Sequence, residues 1–409
     1  MPDEKLPLIL HPGSGLALAR PQGGRIVAEM VSGALALSRT AENASAALVA
    51  RFRIGEHELC EPDYRQILLW ATALELEPET VMDRLIPKPN TQLDRLIPKP
   101  ITQFANGRIL RLGWDMLLMP LKSFEWVNGL VIQSIKFHVE WGYMPVAQHL
   151  FLPLPDLQDL SCDTMGLFSL DLSTVPQLNY LSCTSNYLTK LDLSSVPMLK
   201  QLYCFTNRLT SLDLSVVPQL LELGCGHNEL RSLELAAVPL LTELWCDFNQ
   251  LRSLDLSVVP LLTRLSCSSN QLRSLDLSAV PQLTSLCYSN SPQLTELDFA
   301  DVPLLTELEC DRNQLTLLDL SALPLLTELS CGHNQLRSLD LSVVPLLTRL
   351  SCSHNHLRTL DLSPVPLLSN LFCENNQFTE LDIRPLGKLE NLSYDKDKTR
   401  LIQRPDQHF

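Results

Sequence analysis

The chain has 409 residues, 45% of them apolar and 6% aromatic, with 32 basic and 46 acidic side chains and a formal charge of −14. That length accommodates one long repeat array plus a small separate domain, and no uninterrupted apolar run reaches the 18 or so residues that a membrane-spanning helix needs. Residues 1–150 hold 15 basic and 16 acidic groups and residues 151–409 hold 17 and 30, so the second part repels phosphate backbones, which argues against nucleic acid and favours a protein partner with a basic surface.

The opening stretch, MPDEKLPLILHPGSGLALARPQGG, joins a short apolar run to a mixed acidic start and an early Pro. It is a poor secretory signal, so the expected location is the cytoplasm, or the exterior through export without a recognisable signal peptide. Residues 28–50 and 63–85 are patterned as helices. In the second, Asp63 supplies a start signal and Leu68, Leu69, Ala71, Leu74 and Val81 supply buried positions. A duplicated MDRLIPKP/LDRLIPKP follows at 82–89 and 93–100, where closely spaced prolines favour a stiff, extended connector. Residues 1–103 are therefore assigned to a small, mainly helical domain with its connector. Residues 104–156 turn apolar again, with Trp114, Trp126, Phe137 and Trp141, and are assigned to a cap over the first repeat.

Between residues 157 and 388 one unit of about 21 residues occurs eleven times. A clean copy, 241–261, reads LTELWCDFNQLRSLDLSVVPL. Counted from Leu241 as place one, Leu recurs at places one, four, eleven, fourteen and sixteen, Asn at nine and Pro at twenty. Units this short cannot bury their own apolar side chains and must stack on their neighbours. Glu243-Leu244-Trp245-Cys246-Asp247 alternates out and in, as a strand with one buried face does. Too few residues remain on the return arm for a full helix. The fold class is thus an α/β-type leucine-rich-repeat solenoid with a parallel sheet on the concave side, an extended or 3₁₀ convex side, and a small mainly helical domain in front.

Place six holds Cys162, Cys183, Cys204, Cys225, Cys246 and Cys267, and the series resumes at Cys310, Cys331, Cys352 and Cys373. Successive turns separate these by about 5 Å, which is close enough for disulfides by distance. Parallel side chains in a packed interior have poor bridging geometry, so a column of reduced thiols is predicted. That favours a reducing compartment. Asn186, Asn207, Asn228, Asn249, Asn270, Asn313, Asn334, Asn355 and Asn376 at place nine are read as structural turn residues. The recurring aspartates of the return arm, typified by Asp255, lack the Gly and Asp pattern of a calcium loop. One unit departs from the rhythm: in 283–300 Tyr288 takes the Cys place, Cys287 is displaced outward, Ser291 takes the Asn place, and an extra residue predicts a bulge. Cys287 is expected to be the exposed or reactive repeat cysteine. After 388 a partial turn begins at Leu389 and Leu392, and the polar tail to 409 is expected to end in a few disordered residues.

The segments LNYLSCTSNYLTKLDLS (178–194) and LTELSCGHNQLRSLDLS (326–342) resemble the 21-residue leucine-rich repeats of bacterial surface proteins of the internalin J class, in which Cys replaces one core Leu. The resemblance covers residues 157–388. It implies an adhesin or recognition module.

Function in such an array lies at places the repeat does not fix. Tyr180, Tyr203, Phe205, Trp245 and Phe248 gather on the outward places of the first half, among Glu222, Glu243 and Asp247, with Gly224 and Gly226 leaving a shallow gap between rings. Exposed rings beside carboxylates form a protein-binding hot spot for a partner offering Lys or Arg. A second acidic group is Glu307, Glu309, Asp311 and Glu328, flanked by Arg264 and Arg349. His227, His333 and His354 share one edge place and, with His356, are read as surface histidines. No P-loop, dinucleotide fingerprint, HExxH or nucleophile elbow is present, and Cys60 beside His57 and Glu58 makes no convincing thiol site. No enzyme activity, cofactor or metal is expected. The leading reading is a protein-recognition module. A secreted effector or toxin with its activity in residues 1–150, and a surface adhesin, are the alternatives.

Overall fold

A computed structural model describes residues 51–54, 57–60, 67, 103–105, 108–115, 134–138, 149–152 and 154–409. The helices expected over 28–50 and 63–85 lie outside the described residues, apart from Ile67, which is helical and buried. The duplicated connector lies outside them as well. Strands instead dominate what is described ahead of the repeats. β1 (Arg51–Ile54) and β2 (His57–Cys60) form an antiparallel pair. β3 (Gln103–Ala105), β4 (Arg108–Asp115) and β5 (Ser134–His138) join the main sheet, and β6 (His149–Phe151) starts a small one.

The repeats supply β7 (Asp159–Ser161), β8 (Ser169–Asp171), β9 (Tyr180–Ser182), β10 (Gln201–Tyr203), β11 (Glu222–Gly224), β12 (Glu243–Trp245) and β13 (Arg264–Ser266). They continue with β14 (Ser285–Cys287), β15 (Glu307–Glu309), β16 (Glu328–Ser330), β17 (Arg349–Ser351) and β18 (Asn370–Phe372). β19 (Glu380–Asp382), β20 (Asn391–Ser393) and β21 (Arg400–Ile402) close the chain. Among the described residues the main sheet has 15 strands, running from β3 through β4, β5, β7 and β9–β18 to β20. From β4 onward its neighbours are parallel. The convex side is extended and turn-like, without the helix that longer repeats carry.

Each turn is fixed by side chains at constant places. Leu241, Leu244, Cys246, Leu251, Leu254, Leu256 and Val259 are buried, as are their equivalents along the array. Asn249 joins its own turn to the one before: its Nδ2 donates to Cys225 O (3.0 Å) and Cys246 O (3.1 Å), and its Oδ1 accepts Leu230 N–H (3.0 Å). Thr263 Oγ1 donates to Thr242 O at 3.0 Å, one step of a threonine ladder that begins with Thr242 Oγ1 on Leu221 O. On the return arm Asp255 Oδ1 accepts the Ser257 N–H at 2.9 Å. The same turn recurs at Asp192, Asp213, Asp276, Asp319, Asp340 and Asp361. Those aspartates are backbone caps.

The irregular unit is absorbed locally. Tyr288 fills the Cys place and is buried, while β14 pairs in register with β13 and β15. The extra residue falls between Ser291 and Leu294, where a single turn closes through Leu294 N–H to Ser291 O at 2.9 Å. The tail is ordered, contrary to expectation. Gln407 Nε2 donates to Ile383 O (3.0 Å) and Leu386 O (2.8 Å), so it satisfies carbonyls that the next turn would otherwise have capped.

Candidate recognition face

Parallel register sets the outward places in straight rows. One row runs Tyr180, Gln201, Glu222, Glu243, Arg264, Ser285, Glu307, Glu328, Arg349. The next runs Ser182, Tyr203, Gly224, Trp245, Ser266, Cys287, Glu309. Neighbours in a row stand one strand spacing apart, about 4.8 Å.

Tyr203 is the centre of the aromatic group. Its ring centroid lies 5.8 Å from Tyr180, 6.3 Å from Phe205 and 6.2 Å from Trp245. Glycine at 224 makes the last contact feasible, because Trp245 is two strands away and a side chain between them would separate the rings. The gap expected at Gly224 is closed: a Cβ there would lie 2.2 Å from Phe205 Cε2 and 2.9 Å from Tyr203 Cδ1. Phe205 also leans over Gly226. The rings fill the space that the missing side chains leave, so the surface is a floor and not a cleft.

The carboxylates of this group have different duties. Glu222 accepts the Tyr203 hydroxyl through Oε2 and Gln201 Nε2 at 2.8 Å through Oε1. Burial, the bond to Glu222 and the nearby carboxylate charges push the Tyr203 phenol well above its usual range, so the hydroxyl stays a donor. Asp247 Oδ1 accepts Ser266 Oγ at 2.5 Å and the Ser268 N–H at 2.9 Å, so it caps the following turn. The Glu243 carboxylate has no hydrogen-bond or ion-pair partner among the described residues, while its backbone N–H donates to Leu221 O at 3.2 Å. Arg264, its neighbour in the row, is exposed and does not bridge to it.

Phe248 is not part of this floor. It occupies place eight with φ 51° and stacks on His227 at 4.1 Å, at the edge where the chain leaves the strand. Every turn from Thr164 to Asn375 has a left-handed, non-glycine residue at that place. His333 and His354 stack there at 3.9 Å, and no group of three or more His, Cys, Asp or Glu converges as metal ligands among the described residues.

In the second acidic group Glu307 and Glu328 are row neighbours, with Glu309 on the adjoining row. Asp311 is again a cap, accepting Gly332 N–H at 2.7 Å. Arg349 lies over the Phe372 ring, 5.8 Å from its centroid. β13 and β14 separate this group from the aromatic one. The ten column cysteines are buried free thiols. Burial pushes Cys204 and Cys373 up to about 12. Cys287 is half-buried, as its outward place implies, but it is not activated: burial raises its thiol, which donates to Glu309 Oε2 at 3.3 Å.

Sequence reasoning missed two features. One is the Gln201 clamp on Glu222. The other is an edge cluster in which Phe168 stacks on Tyr187 at 5.3 Å and the Arg208 guanidinium lies 5.0 Å from the Tyr187 centroid. The signal for the cluster was present, since aromatic residues stand at places ten and twelve, where most other turns carry Gln, Arg or Thr.

Several solved structures share this architecture. The functional domain of InlJ from Listeria monocytogenes, which includes a cysteine ladder, is 31% identical, with 72% of this chain and 68% of that one covered and a TM-score of 0.60. A leucine-rich-repeat protein from Leptospira interrogans is 24% identical over 70% of this chain and 77% of its own, with a TM-score of 0.61. YopM from Yersinia enterocolitica is 25% identical over 67% and 64%, at 0.54. No protein-family model and no curated protein matches the chain.

Proposed function

The chain belongs to the leucine-rich-repeat proteins with a cysteine ladder, the class of internalin J, and from that premise we propose that it binds a protein partner on the outward face of its sheet, centred on Tyr203, Trp245 and Glu243. The solenoid is of a kind typical of protein–protein interaction modules and matches non-catalytic scaffolds. No helix among the described residues is long and apolar enough to cross a membrane.

The observation that carries the reading is the aromatic floor with an unpartnered carboxylate at its rim. Tyr180, Tyr203 and Trp245 are half-exposed on strands whose backbone groups are already paired, and half-exposed Phe205 stands just beyond the end of β10, so little ordering is left to be done on association. Aromatic residues on such a rigid support are the usual anchors of a protein interface. The acidic balance of the face, with Glu222, Glu243, Glu307, Glu309 and Glu328 against Arg264 and Arg349, supports a partner with a basic surface.

Affinity capture under reducing conditions tests the reading, with wild type compared against a folded Trp245→Ser/Glu243→Lys variant. A protein retained by wild type and lost by the variant is the expected result. Equal retention by both places recognition elsewhere.

A further inference from the structure

The shape and charge of the floor select among the side chains a partner can offer. Tyr203 and Phe205 lie nearly parallel, 16° apart, and Trp245 is tilted 39° from Tyr203. Phe205 and Tyr203 fill the space over Gly224, where a Cβ would lie 2.2 Å and 2.9 Å from them, which leaves no room there for an aliphatic anchor. Glu222 is occupied on both oxygens by Tyr203 and Gln201. Glu243 is not. It projects from the same strand face as Trp245, two residues before it, which places the two side chains roughly 7 Å apart at their bases.

A flat cation suits that arrangement better than a round one. A guanidinium can lie on a ring face and still present its edge N–H groups to a carboxylate, whereas an ammonium has no plane to stack and is more strongly hydrated. Arg264 shows that this chain does not fill the position itself, since it stands one strand over without pairing to Glu243. We infer that Tyr203, Phe205 and Trp245, with Glu243 at their rim, form a subsite for an arginine side chain of the protein partner. The inference rests on the reading of the sheet face as the binding surface. The guanidinium stacks on the ring faces and donates to Glu243, and Glu222 holds Tyr203 in place through its hydroxyl.

The test uses the full chain and three small probes: Nα-acetyl-arginine amide, Nα-acetyl-lysine amide and Nα-acetyl-citrulline amide. Each is titrated while the indole N–H resonance of Trp245 is followed by NMR. The arginine probe is expected to bind about tenfold more tightly than the lysine probe, and Glu243→Gln to weaken it by about tenfold. Citrulline, planar but uncharged, is expected to shift Trp245 no more than lysine does. Equal affinities for arginine and lysine, an unchanged arginine affinity in Glu243→Gln, or no response to any probe would overturn the subsite. Glu243 is a surface residue whose side chain has no bonds to lose, so its substitution leaves the fold intact. If the probes fail while the Trp245→Ser/Glu243→Lys variant still loses its captured partner, the arginine subsite is wrong and the sheet-face reading stands.

Discussion

Replacing Asn249 with Ala separates the cost of losing hydrogen bonds from the cost of orphaning a buried group. The side chain's three shortest bonds go to Cys225 O, Cys246 O and Leu230 N–H, and a longer one of 3.2 Å goes to Asp247 O, which also accepts the His227 N–H. The two carbonyls do not become orphans, because Cys225 O also accepts from Asn228 (3.1 Å) and Cys246 O from Asn270 (3.0 Å). Leu230 N–H has no substitute. Leaving that donor unpaired costs about 1–3 kcal/mol and each lost carbonyl bond about 0.5–1 kcal/mol, so the total comes to about 3 kcal/mol. Urea unfolding of the variant against wild type measures the sum, and hydrogen exchange at the Leu230 amide reads the local part. Asn376→Ala near the end of the array is the comparison, since that asparagine is half-exposed. A loss below about 0.5 kcal/mol at Asn249, or an unchanged exchange rate at Leu230, refutes the accounting.

Three further outcomes follow from the same geometry. At the irregular turn Ser291 is too short to reach the Leu272 N–H, which has no hydrogen-bond partner among the described residues; Ser291→Asn should restore the bond and stabilise by about 1 kcal/mol in the same urea assay. Burial raises every column thiol, so among the repeat cysteines native-state alkylation should reach Cys287 first and the column only on unfolding; mass spectrometry showing equal rates contradicts this. Burial raises the Glu374 carboxyl, but bonds from Ser353 Oγ and Ser393 Oγ, both 2.7 Å, outweigh it and hold it below its usual range. A depressed folded-state value means stability that is present at neutral pH and lost as pH falls through that value, so Glu374→Gln should flatten the acid limb of the stability profile, and an unchanged limb denies the role.

The array was legible because its places repeat. Leu at one, four, eleven, fourteen and sixteen, with Asn at nine, fixes strand, turn and interior in every copy, and the structure places those residues accordingly. What repetition does not encode was harder to read. Asp247 and Asp311 look like free surface acids, yet each holds a backbone N–H one turn ahead, a duty that Ser268 and Ser289 perform elsewhere. Phe248 looked like part of the ring cluster until its left-handed backbone turned it toward His227. Gly224 suggested a void, but large neighbours lean into any room a missing side chain leaves. The ordered tail was obscured because its polar residues cap main-chain groups invisible to a hydropathy pattern.

The extra residue between Ser291 and Leu294 leaves the pitch of the sheet untouched, with Leu265, Leu286 and Leu308 still facing one another across it. The corner thus behaves as an expansion joint, taking up length that the strands on either side never register. A chain built this way can lengthen a corner, and so resculpt the margin of its face, without re-spacing any side chain on the face itself. Contour and reading frame are separately adjustable, which lets such an array change what it fits while its core remains the same.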